Sequence, residues 1–497
     1  MNSSHPRSKT RLTHHTSRIR PNLHGVALGL IIAVGIALRA YHLGFKTLKF
    51  DEALFYWIGQ GNLQAILSEN ARLTSEPPLF ALLTAIVSRI SSTEVALRIV
   101  PFLAGVAAIP AIYLLASRFL TKWGAVAAAL MVTFAPSQIT RSQQVREYSL
   151  SSLFTILALL SFVNFLDKKT WRSSVFMAVT ISVGMYIHYS LALILLGINI
   201  VFLIRIVLVK DSRKQLFLNW LLAQMLVGLA TLALYGLALR QQLSPVLGAW
   251  YIQPGLWAGS SIRSAIGFAY GGIRDLMLSA YPGYVFTLLF YLGSVVLILF
   301  HRKTVFPYLV VAPIAVVVGS SLLRLYPLGG GPQDIFMAPL VILVAASGVD
   351  YLVKVDPRGV TVAVFLGLLV WRVVPSLIAY YPEDGNSSVG RIVERVAADA
   401  SPGDPVYLCL GDDPALRYYV YVRYPMPRNP IVTGIRGPEP RDYLDQVDAM
   451  LADYGRAWMI MFPPCGDMSP MLEHIAQDWH VDLVEKRYPD TELYYVH

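Results

Sequence analysis

Eleven apolar stretches, each about as long as a membrane-crossing helix, run through residues 1–378 of this 497-residue chain. A helix that crosses about 30 Å of hydrocarbon needs roughly 20 such residues. Charged residues make up 14% of the chain, compared with about 25% in an average soluble protein. The sequence therefore predicts a multi-pass helical membrane protein. The stretches lie approximately at 23–41, 95–116, 123–139, 148–166, 171–187, 190–209, 216–238, 283–300, 304–323, 336–353 and 360–378.

The positive charge of the chain is concentrated in this hydrophobic part. Residues 1–378 hold 31 basic and 12 acidic residues, whereas residues 379–497 hold 10 and 19. Basic residues between spans typically mark cytoplasmic loops, so the charge does not indicate a nucleic-acid partner. Placing the N-terminus in the cytoplasm puts 18 basic residues on short inner segments. We therefore predict a cytoplasmic-membrane protein whose N-terminus is inside and whose residues 379–497 are outside, with the first apolar stretch retained as a span.

The first outer loop is expected to be structured. Its apolar segment at 79–90 is too short to cross hydrocarbon. We expect an interfacial helix over about 76–91, with Ser75 as its N-cap. A preceding helix over about 53–68 carries an aromatic cluster that favours the headgroup region.

The chain is predicted to form two domains, a transmembrane domain at 1–378 and a small extracytoplasmic α/β domain at 379–497. Helical and strand-like patterns alternate in the second, which favours a largely parallel sheet. Helices are expected at 389–400, 443–454 and 471–479, and strands at 406–410 and 457–462. The two cysteines of the chain, Cys409 and Cys465, could form a disulfide or remain separate buried thiols.

Acidic side chains of the membrane domain gather at the predicted outer face. If the protein performs acid–base chemistry outside the membrane, the base is expected among them. Structural explanations are also open: Asp51 could cap a helix with Glu52 in its first turn, and Glu94 could pair with Arg98 four residues later. The outer acids are Asp51, Glu52, Glu69, Glu76, Glu94, Glu147, Asp275 and Asp334.

Other polar residues on this face have both functional and structural interpretations. Arg146 could clamp a lipid phosphate, or it could anchor its helix to headgroups. His188 and Tyr189 mark a tight hairpin, where a lone histidine is more often hydrogen-bonded than catalytic. The glycine-rich loop after Arg324 and Tyr326 could allow a ligand to approach closely, or it could be a plain turn. The long outer loop at 239–282 could be a lid or an interfacial segment.

Five motifs resemble one known group of proteins. They are Asp51-Glu52-Ala53, Pro77-Pro78-Leu79-Phe80, Glu94 with Ala96-Leu97-Arg98, Gln143-Gln144-Val145-Arg146-Glu147-Tyr148-Ser149-Leu150, and His188-Tyr189. In this order the chain resembles the GT-C glycosyltransferases that use polyprenyl-phosphate sugars, particularly the protein O-mannosyltransferase and aminoarabinose transferase type. The resemblance implies a GT-C type bundle of about 11 transmembrane helices with a structured first outer loop.

The resemblance also implies a reaction and a site. Asp51 is the expected general base of an inverting transfer of a single sugar, with Glu52 beside it as a second catalytic candidate. Arg146 and Arg324 are expected to stabilise the lipid phosphate, with Lys49 and Arg263 as weaker candidates. Further site candidates are Glu76, Glu147, Tyr148, His188, Tyr189 and Tyr326.

The expected partners are a polyprenyl-phosphate sugar donor, a lipid, glycan or protein acceptor, and membrane lipids. The chain has no Asp-x-Asp motif, so no obligatory divalent metal is expected. It departs from the resembling group at Glu76, where a basic residue often precedes the two prolines, and at Gln144, where an acid is common. The late glycine loop is followed by Pro332 and Gln333 rather than by a basic residue.

Three other functions remain open at this stage. A multi-span lipid or saccharide transporter, or flippase, would have ionisable groups or broken helices near the bilayer midplane. A non-catalytic assembly protein would use the C-terminal domain to hold partners. A lipid-linked polymerase or ligase would use a multi-sugar lipid diphosphate as its donor.

Overall fold

The structure is a computed structural model of the chain. It describes residues 23–208, 212–243, 256–259, 261–329, 331–356, 358–381, 389–409, 411, 413–434, 441–461, 469–487 and 491–497. Seventeen helices make up the described part of the membrane domain. They are α1 Leu23–Ala40, α2 Phe50–Ile58, α3 Leu63–Leu73, α4 Pro78–Ser88, α5 Glu94–Leu97, α6 Ile99–Ala116, α7 Lys122–Phe134, α8 Pro136–Ser142, α9 Tyr148–Lys168, α10 Trp171–Ile187, α11 Leu191–Leu208, α12 Arg213–Gln242, α13 Ile262–Ala280, α14 Tyr284–Phe300, α15 Phe306–Leu322, α16 Ala338–Val355 and α17 Val360–Tyr380.

Seven of the described helices are long and apolar enough to cross a membrane: α1, α6, α9, α11, α12, α16 with the short 3₁₀ turn before it, and α17. The pair α7 and α8, bent by 56°, would be an eighth span. Helices α14 and α15 are apolar but only 17 residues long. The sequence prediction of a multi-pass helical membrane protein is confirmed, whereas the count of eleven spans stays a prediction.

Helix α16 lies at the centre of the bundle, and α14 crosses it at two glycines. A Cβ added at Gly293 would lie 1.8 Å from the carbonyl oxygen of Val344, and one at Gly348 would lie 2.5 Å from that of Leu289. Backbone atoms cannot move aside as a flexible side chain can. The crossing therefore requires small residues, as is common where membrane helices pack closely.

The variant Gly293→Ala is expected to destabilise the bundle by about 1–3 kcal/mol, because the added methyl group overpacks the crossing. The matched control is Gly319→Ala in α15, since a Cβ at Gly319 meets no atom within 4 Å among the described residues. Thermal unfolding of the detergent-solubilised proteins measures the difference. Equal midpoints for the two variants would contradict the packing argument.

The first outer loop, between the spans α1 and α6, contains four helices, α2 to α5, where the sequence predicted two. The predicted helix over 53–68 is wrong in extent, because the chain breaks at Gly59, where α4 packs so closely that a Cβ would lie 3.0 Å from the Cα of Ala85. Helix α3 then starts afresh with Asn62 as its N-cap, whose side chain accepts a hydrogen bond from the amide of Ala65. The predicted N-cap Ser75 is also wrong: Pro77 caps α4, and its rigid ring suits the extended cap conformation.

The C-terminal domain is a five-stranded sheet with helices. Its elements are α18 Val389–Asp399, β1 Val406–Leu408, α19 Pro414–Tyr418, β2 Ile431–Thr433, α20 Arg441–Tyr454, β3 Ala457–Met461, α21 Ser469–Ile475, β4 Val481–Arg487 and β5 Thr491–Val496. The strand order is β2-β1-β3-β5-β4. Strand β1 is parallel to β2 and β3, whereas β5 is antiparallel to β3 and β4. The sheet is thus mixed rather than largely parallel, because the three residues between β4 and β5 are too few for a parallel crossover.

Residues Asp413 to Tyr424 hold the C-terminal domain against the first outer loop. The indole Nε1 of Trp57 donates to the carbonyl oxygen of Pro414 at 2.9 Å, and the amide of Leu48 donates to the hydroxyl of Tyr419 at 2.7 Å. Glu94 pairs with Arg423 at 3.2 Å. Buried apolar side chains from both regions form one continuous cluster. The domain therefore packs directly on the loop that carries Asp51.

Cys409 follows β1 directly and is disulfide-bonded. The other cysteine of the chain, Cys465, lies outside the described residues. Disulfides persist in oxidising compartments; the location of this domain outside the cytoplasm stays a prediction.

Candidate active site

The neighbouring acids Asp51 and Glu52 lie in the first turn of α2 but have different surroundings. Glu52 is buried, and its two carboxylate oxygens accept hydrogen bonds from the amides of Lys49 at 3.1 Å and Val145 at 2.7 Å. Lys49, not Asp51, is the N-cap of the helix. The interpretation of Asp51 as a helix cap is therefore wrong. The Asp51 side chain is 63% exposed.

Arg98 is the buried ionic partner of Glu52, at 3.4 Å. The predicted pairing of Glu94 with Arg98 is wrong, because the short helix α5 ends between them and Glu94 instead contacts Arg423. Arg98 also donates to three backbone carbonyl groups that follow the first span, those of Leu43, Lys46 and Thr47. The pair Glu52–Arg98 thus fixes the path of the chain from α1 to α2, which is a structural role.

Arg146 connects three carboxylates that come from separate segments of the chain. Its Nη1 lies 2.7 Å from Oδ2 of Asp51, its Nη2 lies 3.4 Å from Oε1 of Glu76, and its Nε lies 3.2 Å from Oε2 of Glu147. Nη2 also donates to the hydroxyl of Tyr148 at 2.8 Å, and the guanidinium lies over the Tyr148 ring. We call these five residues the arginine hub.

The arginine hub is buried except at Asp51. Burial by itself lowers the pKa of Arg146, but the carboxylates around it, Glu147 above all, raise this pKa well above its ordinary value. The guanidinium therefore stays charged and faces three acidic groups. Among the described residues, Asp51 is the one carboxylate of the hub that reaches the surface, with Oδ2 held by Arg146.

His188 lies against the buried side of the hub, with Nε2 4.0 Å from Oε2 of Glu76. Its Nδ1 is 2.6 Å from the hydroxyl oxygen of Ser190. Burial lowers the pKa of His188 below its ordinary value, and this effect outweighs the opposing influence of the Glu147 carboxylate. The imidazole is therefore neutral near pH 7.

Glu76, Glu147 and His188 have ligand atoms within 4.8 Å of one another, close enough to hold a cation. Both carboxylates already pair with Arg146. A metal ion here would have to compete with the guanidinium, so these residues fit a cation poorly while the hub is formed. The prediction that no divalent metal is obligatory stays a prediction.

Two tyrosines that the sequence singled out lie behind Glu76. The hydroxyl of Tyr189 donates to Gln242 at 2.5 Å, and the amide of Gln242 donates to the backbone carbonyl of Glu76 at 2.8 Å. Tyr326 donates to the backbone carbonyl of Gln333. Burial raises the pKa of both tyrosines, so both are protonated donors near pH 7. Sequence reasoning missed Gln242, since nothing local distinguishes a glutamine near the end of a long apolar helix.

The remaining predicted phosphate-binding residues lie apart from the hub. Arg324 is exposed in a left-handed backbone conformation, with φ of 61°, and its Nε donates to the carbonyl of Trp257 at 3.0 Å. Arg263 is exposed in the first turn of α13, and Lys49 is exposed two residues before Asp51. Within the described residues, none of these three side chains contacts the hub.

The two glutamines of the Gln143-Gln144 motif support the backbone around the hub. Gln143 donates to the backbone carbonyls of Arg39 and Tyr41, both at 2.8 Å. Gln144 accepts a hydrogen bond from Arg141 at 2.8 Å. These contacts attach the turn before Arg146 to the end of the first span.

Comparison with known proteins agrees with this architecture. The structure of ArnT from Cupriavidus metallidurans bound to undecaprenyl phosphate superimposes with a TM-score of 0.57 at 14% sequence identity, over 95% of this chain and 97% of that one. The oligosaccharyltransferase AglB from Archaeoglobus fulgidus, in complex with an inhibitory peptide and a dolichol-phosphate, superimposes with a TM-score of 0.51 at 11% sequence identity. The match covers 89% of this chain and 70% of that one. The fold is that of the GT-C membrane glycosyltransferases.

The sequence supports the same assignment over part of the chain. Residues 75–237 match the model of the dolichyl-phosphate-mannose-protein mannosyltransferase family. No curated protein matches the chain in sequence. The fold and the family match over residues 75–237 confirm the resemblance to the GT-C membrane glycosyltransferases noted in the sequence.

The variant Glu52→Ala is expected to destabilise the protein by about 3–5 kcal/mol, because it leaves the charge of Arg98 buried and unpaired. Glu69→Ala is the matched control. Glu69 pairs with Arg72 at the exposed surface of α3, where such a pair contributes about 0–1 kcal/mol. Thermal unfolding in detergent measures both. If Glu52→Ala unfolds at the same temperature as Glu69→Ala but loses enzymatic activity, Glu52 is a catalytic residue, as the sequence predicted.

Proposed function

We propose that the protein transfers a single sugar from a polyprenyl-phosphate donor to an acceptor hydroxyl at the outer face of the cytoplasmic membrane. The observation that carries the proposal is the arrangement at Asp51, an exposed carboxylate held by a buried arginine at the surface of the arginine hub. The superimposable structures contain undecaprenyl phosphate in ArnT and dolichol-phosphate in AglB, which supports a lipid-phosphate donor.

Asp51 acts as the general base in this proposal. Arg146 holds Oδ2, while Oδ1 makes no hydrogen bond to any residue that the structure describes and is available to the acceptor. The Asp51 carboxylate takes the proton of the acceptor hydroxyl while the oxygen of that hydroxyl attacks the anomeric carbon of the sugar. The bond from that carbon to the phosphate oxygen breaks on the opposite face, and the lipid phosphate leaves with the electron pair. The configuration of the sugar is inverted.

We assign Arg146 a positioning role rather than the phosphate contact expected from the sequence. The Arg146 guanidinium already faces three carboxylates, and their negative charge repels a further anion such as the lipid phosphate. Its fork instead fixes the orientation of Asp51. Positive charge for the departing phosphate has to come from outside the hub, and Lys49, Arg263 and Arg324 remain the candidates.

The transporter interpretation fits the structure less well. A transport site is expected near the bilayer midplane, whereas the hub residues lie at or beyond the ends of helices. Asp51 is in the first turn of α2, Glu76 precedes α4, and Arg146 precedes α9. A set of charges at the start of one span and of two outer-loop helices suits chemistry at the membrane surface.

The variant Asp51→Asn is expected to lower sugar transfer roughly 10²–10⁴-fold, the usual contribution of a general base. Stability should change little, because the exposed side chain does not cap its helix and Arg146 keeps its pairs with Glu76 and Glu147. Radiolabel transfer from undecaprenyl-phosphate-linked hexose and pentose donors, with donor binding measured separately, tests this expectation. The control is Asp275→Asn, an exposed carboxylate paired with Arg274. Full activity of Asp51→Asn would refute the assignment of the base.

A groove of about 580 Å³, lined by Phe50 next to Asp51 in the chain but not by Asp51 itself, is a suitable place for the acceptor. It lies between the first outer loop and the C-terminal domain, with Phe50, Leu54 and Trp57 of α2 on one side. Asp413 and Arg417 line the other side, and the guanidinium of Arg417 lies 4.8 Å from the centre of the Trp57 ring. Because the same helix carries the base and the groove wall, an acceptor bound here lies close to Asp51.

The variant Arg417→Ala should raise the KM for the acceptor roughly 3- to 30-fold, equivalent to about 0.7–2 kcal/mol. Donor binding should not change, because the groove is assigned to the acceptor. Arg428→Ala provides the control, since Arg428 is exposed on the same domain and does not line the groove. Steady-state kinetics with varied acceptor measure the effect. An unchanged KM would exclude the groove as the acceptor site.

A further inference from the structure

A second set of chemically active side chains lies at the open end of the β4–β5 ribbon in the C-terminal domain. His480 precedes β4, Asp482 is its second residue, and His497 follows β5. All three side chains are about half exposed or more. None belongs to the arginine hub or to the groove beside Asp51.

Both imidazoles contact the same carboxylate. Nε2 of His480 lies 3.2 Å from Oδ1 of Asp482, and Nε2 of His497 lies 3.1 Å from Oδ2. The two imidazole rings have their centres 5.0 Å apart. One ligand atom from each residue can be chosen so that all three lie within 4.8 Å of one another.

The sheet itself brings these three residues together. The amide of His480 donates to the carbonyl of His497 at 2.9 Å, and the amide of His497 donates to the carbonyl of His480 at 3.0 Å. The two histidines are therefore directly opposite each other on antiparallel strands, so their side chains share one face. Asp482 is two residues after His480 and points to that same face. Backbone pairing, rather than a flexible loop, sets the spacing.

We propose that His480, Asp482 and His497 form a binding site for a divalent zinc-type cation. Two imidazoles and a carboxylate are a ligand set that zinc uses, with one position left to solvent. Ligand atoms about 2.0–2.1 Å from a tetrahedral metal are roughly 3.3 Å apart. The observed nitrogen-to-oxygen distances of 3.2 and 3.1 Å are close to that separation. A small inward movement of the exposed side chains would complete the site.

A bound cation would join the start of β4 to the end of β5. Strand β4 is the outer strand of the sheet and pairs only with β5 among the described strands. A cross-link at this end would therefore oppose fraying of the edge strand. A cation that binds the folded state but not the unfolded state raises the free energy of unfolding, and the effect grows with the cation concentration. The role is structural and does not depend on the proposed glycosyl transfer.

The domain contains a matched comparison, the pair His474 and Asp448. Nε2 of His474 lies 3.2 and 3.0 Å from the two carboxylate oxygens of Asp448, with both side chains partly exposed. This pair has one imidazole instead of two. If a histidine–aspartate contact were enough to bind zinc, both places would bind it; if two imidazoles are needed, only the ribbon site would.

The test uses the full chain, purified in detergent through a tag without histidine and stripped with a chelator. Zinc sulfate is titrated calorimetrically, and thermal unfolding is recorded with and without zinc. The unmodified protein should bind one zinc ion at the ribbon site and unfold at a higher temperature with zinc. His480→Ala and His497→Ala should each lose this ion and the shift, whereas His474→Ala should keep both. All variants should unfold at the same temperature without zinc, because the altered side chains are exposed.

Three outcomes would overturn the proposal. The first is the absence of zinc binding by the unmodified protein. The second is an equal loss of binding in His474→Ala, which would indicate non-specific contact with surface histidines. The third is full binding in both ribbon variants together with loss in His188→Ala, which would place the ion at the buried cluster of Glu76 and Glu147. Sugar transfer is not the readout, so failure here leaves the proposed function intact.

Discussion

The site depends on the ion pairs that the buried guanidinium of Arg146 makes with three carboxylates. The guanidinium joins Asp51 from α2, Glu76 from the turn before α4 and its own neighbour Glu147, so three separate segments meet at one charge. An unpaired charge in such a place would be costly, and so would three carboxylates without a cation. The hub therefore positions the outer-loop helices and also leaves one carboxylate, Asp51, facing the surface.

The C-terminal domain contributes to this arrangement because it packs on the same loop. Trp57, Leu48 and Glu94 all contact residues of the segment Asp413 to Tyr424. The groove beside Asp51 has one wall from each domain. A change of orientation between the domains would alter the shape of this groove, whereas the hub lies entirely within the membrane domain. In the proposed function, acceptor selection and base positioning would therefore be carried by different contacts.

Hydropathy and motifs predicted much of this protein. Every predicted apolar stretch is largely helical, because the cost of burying polar backbone in lipid leaves few alternatives. The stretch at 123–139 is nevertheless bent into two helices, α7 and α8, and the stretch at 95–116 begins in the short helix α5. Five of the predicted site candidates do meet: Asp51, Glu76, Arg146, Glu147 and Tyr148. The errors fall where local signals compete with packing. Gly59 ends α2 because α4 approaches it, and Glu94 contacts Arg423, more than three hundred residues away, rather than nearby Arg98.

The amino-acid sequence by itself determined the class of fold and the short set of acids that could serve as base, since both depend on side-chain chemistry and spacing along the chain. Only the tertiary structure distinguished Asp51 from Glu52. The two residues are adjacent and chemically alike, but Val145 and Arg98 reach Glu52 from distant segments and bury it. Exposure and hydrogen-bond partners are set by what packs against a residue, and local sequence does not contain that information.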